Sequence, residues 1–287
     1  MKKYGYVILI VLISLFIIFQ VYVEYKKQFP ENYKVTFFDI SLGDSILIQT
    51  PKGKTILIDS GANSDISQKL SQILSFFDKT IDIFILSHGD DDHAGGINSF
   101  LKHYKIGQIF FNGADKQTPI YDEFESLIKN KNISFKILES SHDFFLDKNI
   151  FLDTIFPFKN ISYLENHGND ESLVFKIDLF GKRILFTGDI EQEIEEEILL
   201  SGENLKSDIL KLAHHGSKTS STQAFLNAVR PKYAIAQANL DNKFGHPHKE
   251  VIERLKTNNI QFLQTGIAGN ITFCINEKVK EFFRCND

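Results

Sequence analysis

The sequence predicts a layered α/β domain carried behind one N-terminal transmembrane helix, and three observations point there. The chain opens with Met1-Lys2-Lys3, followed by about 20 mostly apolar residues, 4–23, that contain no charge; roughly 20 such residues cross a bilayer as a helix. From residue 33 onward, short apolar runs alternate with stretches of helical character in repeated βα fashion. Residues able to carry chemistry gather just after four of those runs. Layered α/β folds assemble sites there, because strand ends are rigid and the loops beyond them can carry function.

The first segment, residues 1–27, reads as an uncleaved signal anchor. A cleaved signal peptide needs a shorter apolar core and a small-residue cleavage site, and Phe16-Ile17-Ile18-Phe19-Gln20-Val21-Tyr22-Val23 offers neither. Lysines flank both ends, so the positive-inside rule gives little asymmetry. A short N-terminus with nothing to hold it outside stays cytoplasmic, which places the protein at the cell membrane as a single-pass chain with its large C-terminal domain extracellular. Residues 28–32, Gln28-Phe29-Pro30-Glu31-Asn32, form a linker in which Pro30 stops the helix.

Residues 33–287 then read as one domain. Strands are expected at 33–39, 44–50 and 54–59, the last two joined by the turn Pro51-Lys52-Gly53-Lys54. A helix at 65–77, a strand at 81–87 and a strand-helix unit at 106–130 follow. Two polar stretches, 139–147 and 160–170, separate this half from a second. That half comprises a hairpin (172–178, 182–187), a helix at 191–200 and a strand ending at His214. Helix 222–229, strand 232–238, helix 249–258 and strands near 261–265 and 270–275 complete it. No internal repeat is visible.

Composition bounds the function. With 43% apolar residues and 27 Phe, the chain can bury a core without disulfides. Cys274 and Cys285 are too few for a disulfide scaffold and lack zinc-knuckle spacing; they can form one staple if the domain is exported. Without the anchor's flanking Lys2, Lys3, Lys26, Lys27 and Glu24, 28 positive and 36 negative residues remain, a net charge of −8. Nucleic-acid enzymes usually carry a basic footprint, and no Lys/Arg run here stands out beyond Lys129-Asn130-Lys131. A DNA substrate is therefore disfavoured unless a local basic groove exists.

The most informative stretch is Ser87-His88-Gly89-Asp90-Asp91-Asp92-His93-Ala94-Gly95-Gly96, directly after Ile81-Asp82-Ile83-Phe84-Ile85-Leu86. An isolated His-x-Asp is better read as a solvated polar loop. Three further patches argue otherwise: Asp189 after Arg183-Ile184-Leu185-Phe186-Thr187-Gly188, His214-His215-Gly216-Ser217 after another apolar run, and Gly245-His246-Pro247-His248 after a fourth.

Together these patches resemble the His-x-[His/Asp]-x-Asp-His signature of the metallo-β-lactamase fold hydrolases. The Asp at the second ligand position, with His-His-Gly-Ser downstream, resembles the ComEC-type branch, which includes the hydrolase domain of a competence channel protein and phosphodiesterases. The resemblance spans about 33–273. It implies a four-layer αββα metallo-β-lactamase sandwich, with the two halves of the domain as the two sheets. It also implies two divalent metal ions, Zn²⁺ or Mn²⁺: His88 and Asp90 on the first, Asp92 and His93 on the second, and Asp189 bridging. His215 would be the ligand that completes the shell of the second metal and His214 would face substrate, although the two could exchange roles. Asp92, His214 and His246 form the implied catalytic set. His246 and His248 are candidates for phosphate contact, and a turn capping the following helix accounts for His248 equally well. Asp59 would support the metal loop without being a ligand.

Two departures stand out, the first from the wider fold, where the chain agrees with the branch, and the second from the branch itself. Where the wider fold places a histidine before the bridging Asp, this chain reads Gly168-Asn169-Asp170-Glu171-Ser172, leaving His167 as a substitute or a solvent-facing loop residue. The first site would then be carboxylate-rich and suit a harder ion such as Mn²⁺. In Asp39-Ile40-Ser41-Leu42-Gly43-Asp44, Ser41 and Leu42 stand where the branch usually has Gly and Gln. The expected reaction is phosphodiester hydrolysis, by a water shared between two ions that also stabilise the attacking and leaving oxygens. The expected partners are the membrane and a phosphodiester-containing substrate, a nucleic acid or a cell-envelope component, with no protein partner inferable. Ester, lactone or amide hydrolysis is the alternative on the same site, followed by a non-catalytic binding module.

Overall fold

A computed structural model of the chain describes residues 2–114, 118–158 and 168–285. His167 and most of the 160–170 stretch lie outside the described residues. In chain order, helix α1 (Lys2–Gln28) leads into β1 (Tyr33–Phe37), β2 (Ile46–Gln49), β3 (Thr55–Ile58), α2 (Asp65–Ile73) and β4 (Thr80–Leu86). The short helices α3 (Asp91–Ala94) and α4 (Ile97–Phe100), then β5 (Lys105–Phe111), α5 (Pro119–Lys131) and β6 (Ser134–Ile137) follow. The second part contains β7 (Phe144–Asp147), β8 (Ile150–Phe156), β9 (Val174–Leu179), β10 (Lys182–Phe186), α6 (Gln192–Ser201), β11 (Ile209–Lys211) and α7 (Gln223–Val229). It closes with β12 (Tyr233–Ala236), α8 (Lys249–Thr257), β13 (Gln261–Gln264), α9 (Thr265–Ala268), β14 (Ile271–Ile275) and β15 (Phe283–Arg284).

The strands form two sheets, ordered β15-β14-β1-β2-β3-β4-β5-β6 and β13-β12-β11-β10-β9-β8-β7. Alternation of side chains along each strand divides the apolar residues among three interfaces. Val35, Phe37, Ile83 and Ile85 of the first sheet meet Ile177, Ile184, Phe186 and Ile209 of the second. On the outer face of the first sheet, Phe84 and Leu86 pack against Ile66, Phe100 and Phe124 from α2, α4 and α5. On the outer face of the second, Leu185, Leu210 and Ala234 pack against Ile198, Phe225 and Val251 from α6, α7 and α8. Three interfaces make four layers, the αββα sandwich.

Local chemistry starts and stops the helices. The Thr118 side chain accepts a hydrogen bond from the Tyr121 amide with Pro119 at the first position of α5, and Thr222 caps α7 through the Phe225 amide. Left-handed Asn132, Gly202 and Arg230 end α5, α6 and α7.

Three sequence expectations need correction. The halves do not map one-to-one onto the sheets, because β14 returns to pair antiparallel with β1 and carries β15 with it. The polar stretch 139–147 is not merely a separator: Phe144–Asp147 forms the edge strand β7, paired with β8. The helix expected at 65–77 ends at Ile73, and Phe76 and Phe77 stand on the loop beyond it, 71% and 68% exposed.

A candidate metal centre between the sheets

Strands β3 and β4 run parallel in the first sheet and β10, β11 and β12 in the second, so their C-terminal ends deliver several loops to one place. The turn after β4 brings in His88, Asp90 and, through α3, Asp92 and His93. Asp189 follows β10, His214 and His215 follow β11, and His246 lies beyond β12. The 38–45 loop closes the site from the first sheet. At Gly43 (φ +88°) an added Cβ would lie 1.6 Å from the Asp92 carbonyl oxygen, so only glycine permits this approach.

Asp92, His93, Asp189 and His215 form a cluster whose ligand atoms all lie within 4.8 Å of one another. Asp189 Oδ2 is 3.4 Å from His93 Nε2 and 3.2 Å from His215 Nε2, and Asp92 Oδ2 is 3.3 Å from His215 Nε2. Bonds of ~2.0–2.1 Å in a tetrahedron separate neighbouring donors by about 3.3 Å, so two imidazoles and two carboxylates at these spacings fit a divalent ion. The far side of each imidazole is held. His93 Nδ1 lies 2.9 Å from Asp59 Oδ2, and His215 Nδ1 lies 3.1 Å from the Gln237 carbonyl. An Nδ1–H donated outward leaves Nε2 as the lone pair facing the cluster. Asp59 also accepts the Ser87 amide and hydroxyl, each at 2.7 Å, so it braces the motif loop from behind.

The other sequence-derived candidates are placed as follows. His88 Nε2 is 3.8 Å from Asp90 Oδ2, and the two rings His88 and His93 are 4.1 Å apart. This pair adjoins the four-donor cluster without belonging to it. His214 and His215 are not alternating strand residues, since β11 ends at Lys211. Both take positive φ (48° and 54°) in a tight turn, which turns His215 inward and leaves His214 at the opening. There His214 Nδ1 lies 3.2 Å from Glu191 Oε1. His246 sits 5.3 Å from the His214 ring and 6.3 Å from the His215 ring. Burial, joined by repulsion from His214, His215 and His248, pushes its imidazole down to about 4. His248 begins α8 and accepts the Lys218 amide on Nδ1 at 3.0 Å, tying that helix to the His-His-Gly-Ser turn.

Sequence reasoning missed two buried partners. Lys211 ends β11 on its inner face, in phase with Ile209, and its ammonium enters the gap between the sheets. It donates to the Gly188 carbonyl at 2.8 Å, lies 3.2 Å from Asp189 Oδ1 and pairs closely with Asp44. Asp44 Oδ1 in turn lies 3.3 Å from His215 Nδ1. Lys211 had a signal, a lone lysine inside the run Ile209-Leu210-Lys211-Leu212-Ala213. Burial alone would raise the carboxyls of Asp44 and Asp189, yet neighbouring positive charge holds both below their ordinary range, with Lys211 leading for Asp44 and His215 and His93 for Asp189. Burial would likewise lower His93 and His215, and the surrounding carboxylates hold both well above it. Carboxylates thus dominate the charge around the two imidazoles, and protons and a divalent cation would compete for them.

Comparison with known proteins agrees with this geometry. The profile of the metallo-beta-lactamase superfamily matches residues 39–238. The chain belongs to that superfamily. It is 27% identical to ComE operon protein 3 of Bacillus subtilis, over 87% of this chain and 34% of that protein. It is 30% identical to competence protein ComA of Neisseria gonorrhoeae, over 88% of this chain and 34% of that protein. An endoribonuclease of Kluyveromyces lactis, YSH1, is 24% identical over 61% of this chain and 26% of its own. The chain spans about a third of the length of the competence relatives, and it is ComEC-like. Superfamily membership and the cluster together make it a metal-dependent hydrolase.

Proposed function

We propose that this ComEC-like protein is a membrane-anchored phosphodiesterase or nuclease that uses two divalent metal ions, Zn²⁺ or Mn²⁺. The observation that carries the reading is the four-donor cluster Asp92, His93, Asp189 and His215, whose spacing suits one ion. His88 and Asp90 beside it would hold the second, with Asp189 shared. When bound, two ions would acidify a water and stabilise charge on a scissile phosphate. The chain's own groups do the rest. Asp59 and the Gln237 carbonyl fix the two imidazoles, and Lys211 occupies Asp189 Oδ1, so Oδ2 is the oxygen presented to the cluster.

His214 is suited to protonate a leaving alkoxide. It stands at the opening, outside the donor cluster, and Glu191 at 3.2 Å orients its Nδ1, which leaves Nε2 for substrate. His246, largely buried and held neutral, would contact phosphate as a hydrogen-bond partner and not as a cation. The endoribonuclease relative supports phosphodiester chemistry over ester or lactone hydrolysis. Helix α1, apolar enough over Tyr4–Gln28 to cross a membrane, supports anchoring. The disulfide between Cys274 and Cys285 supports an exported domain, since disulfides persist in oxidising compartments.

Asp189→Asn tests the centre. The variant is expected to bind little metal, by elemental analysis after Mn²⁺ or Zn²⁺ loading, and to lose hydrolysis of bis-p-nitrophenyl phosphate. Full metal content with unchanged turnover would sink the assignment. Wild-type turnover of a lactone with none of the diester would reject the phosphodiester reading and keep the site.

A further inference from the structure

Helix α1 joins the sandwich at the end opposite the metal centre. Strand β1 runs antiparallel to β2, β2 antiparallel to β3, and β3 parallel to β4. So β1 and β4 point the same way, toward the metal centre. Their N-terminal ends, at Tyr33 and Thr80, therefore lie at the far end, where α1 joins the domain. The turn between β2 and β3 falls there too, with Gly53 packed against Phe29 and the Gln28 carbonyl. The loop between α2 and β4 is fastened to the helix: the Phe76 amide donates to the Glu24 carboxylate, and Gln28 Nε2 donates to Asp78 Oδ2 at 3.2 Å.

That fastening sets a level. The uncharged run 4–23 spans about 30 Å as a helix, the thickness of a bilayer's hydrocarbon core, so its boundary falls at Glu24, beside Phe76. Phe76 and Phe77 stand there 71% and 68% exposed, with Lys79 Nζ 5.2 Å from the Phe76 ring and, on the helix, Lys26 and Lys27 paired with Glu31 and Glu24. Among the described residues these two phenylalanines lie outside the core clusters, their rings set edge-to-face on each other at 5.8 Å. They have the composition of an interfacial surface, apolar rings at headgroup depth amid charged groups of both signs, with Lys79 beside Phe76.

We propose that this end of the sandwich, with Phe76 and Phe77 inserted, rests in the headgroup layer of the bilayer that α1 spans, so that the metal centre opens away from the membrane. The proposal rests on the reading of Tyr4–Gln28 as a membrane span. Strand β4, seven residues long, sets the centre roughly 20 Å beyond the headgroup contact at ~3.3 Å per residue. Substrate thus arrives from the aqueous phase, and the phospholipids of the same bilayer are out of reach.

The chain contains no tryptophan, so single tryptophans report position. Full-length Phe77→Trp and Phe244→Trp proteins, the second marking the metal-site opening through its 5.7 Å ring contact with His246, would be reconstituted into phosphatidylcholine–phosphatidylglycerol vesicles. Lipids brominated near the headgroup supply the quencher. The tryptophan at 77 is expected to be blue-shifted and quenched at least several-fold more than the one at 244. Equal quenching at both, or no quenching at 77 in protein that floats with the vesicles, overturns the proposal. Protein that does not float with vesicles overturns the anchor reading, and this proposal with it.

Discussion

Lys211 is the residue on which the metal-free site depends, because its ammonium is the fixed positive charge set between Asp44 and Asp189. Removing one member of a buried charge pair typically costs about 3–5 kcal/mol, since the partner remains buried and uncompensated. Lys211→Met is expected to lower the stability of the metal-free protein by about that amount in urea unfolding, and saturating Mn²⁺ or Zn²⁺ should recover part of the loss by supplying charge beside Asp189. Equal stability of wild type and variant without metal would remove Lys211 from this role. The two adjacent histidines separate by a different readout. His214→Ala should retain metal and slow cleavage of diesters with poor leaving groups by roughly 10²- to 10⁴-fold, the usual range for general acid catalysis, with a much smaller effect on activated nitrophenolate esters. His215→Ala should lose metal. Metal loss in the first variant and retention in the second would exchange their roles. Asp59 was legible as loop support through the family resemblance, its position alone marking only the end of an apolar strand. Asp44 could not, because only the fold brings the 38–45 loop behind His215.

Helix α6 shows how one buried carboxylate links elements. Glu195 is fully buried and accepts the backbone amides of Ser221 and Thr222, just ahead of α7. Burial pushes its carboxyl up to about 6 against the lowering effect of those hydrogen bonds and of Arg254. A folded-state value above the unfolded one means that the protonated acid favours folding. This contribution is complete below the unfolded value of about 4.5 and is lost as pH rises through about 6, about 2 kcal/mol in all. His246 runs the other way: held down to about 4, it contributes above about 6.5 and loses that as pH falls. The difference between wild type and Glu195→Gln cancels His246, so the variant is expected to gain about 2 kcal/mol relative to wild type between pH 4.5 and 7.5 in urea titrations. A difference independent of pH would show that Glu195 does not titrate in that window. At this same scale, elements with strong periodicity or punctuation were readable from sequence. The β9–β10 hairpin, turned at Phe180 and Gly181 with positive φ, is one case. Strand β7 was not, because Phe144-Phe145-Leu146-Asp147 lies in a polar stretch and is defined by its partner β8. The end of α2 was missed because Phe76 and Phe77 continue an apolar pattern without entering the core.

At the scale of the whole molecule, the chain's two ends determine where the domain works. On the proposed anchoring, the N-terminal helix holds the sandwich at a membrane surface, while the C-terminal strands β14 and β15 close the first sheet beside β1, with Cys274 and Cys285 bonded across them. That closure was invisible to periodicity, since strand order depends on pairing between residues 240 positions apart, such as Lys34 with Cys274. A cross-link closing so short a loop stabilises a domain by roughly 2–3 kcal/mol, and it persists only where thiols are not kept reduced. Orientation and oxidation state are therefore one prediction with two readouts. If the N-terminus is cytoplasmic, protease added to intact cells should digest the domain, and a membrane-permeant alkylating reagent should label neither cysteine unless a reductant is added first. Either cytosolic placement or an outward-facing N-terminus reverses both results together: the domain survives until lysis, and both thiols are labelled without reductant. A domain that is digested from outside yet labelled at both cysteines would keep the orientation and remove the disulfide from the native protein.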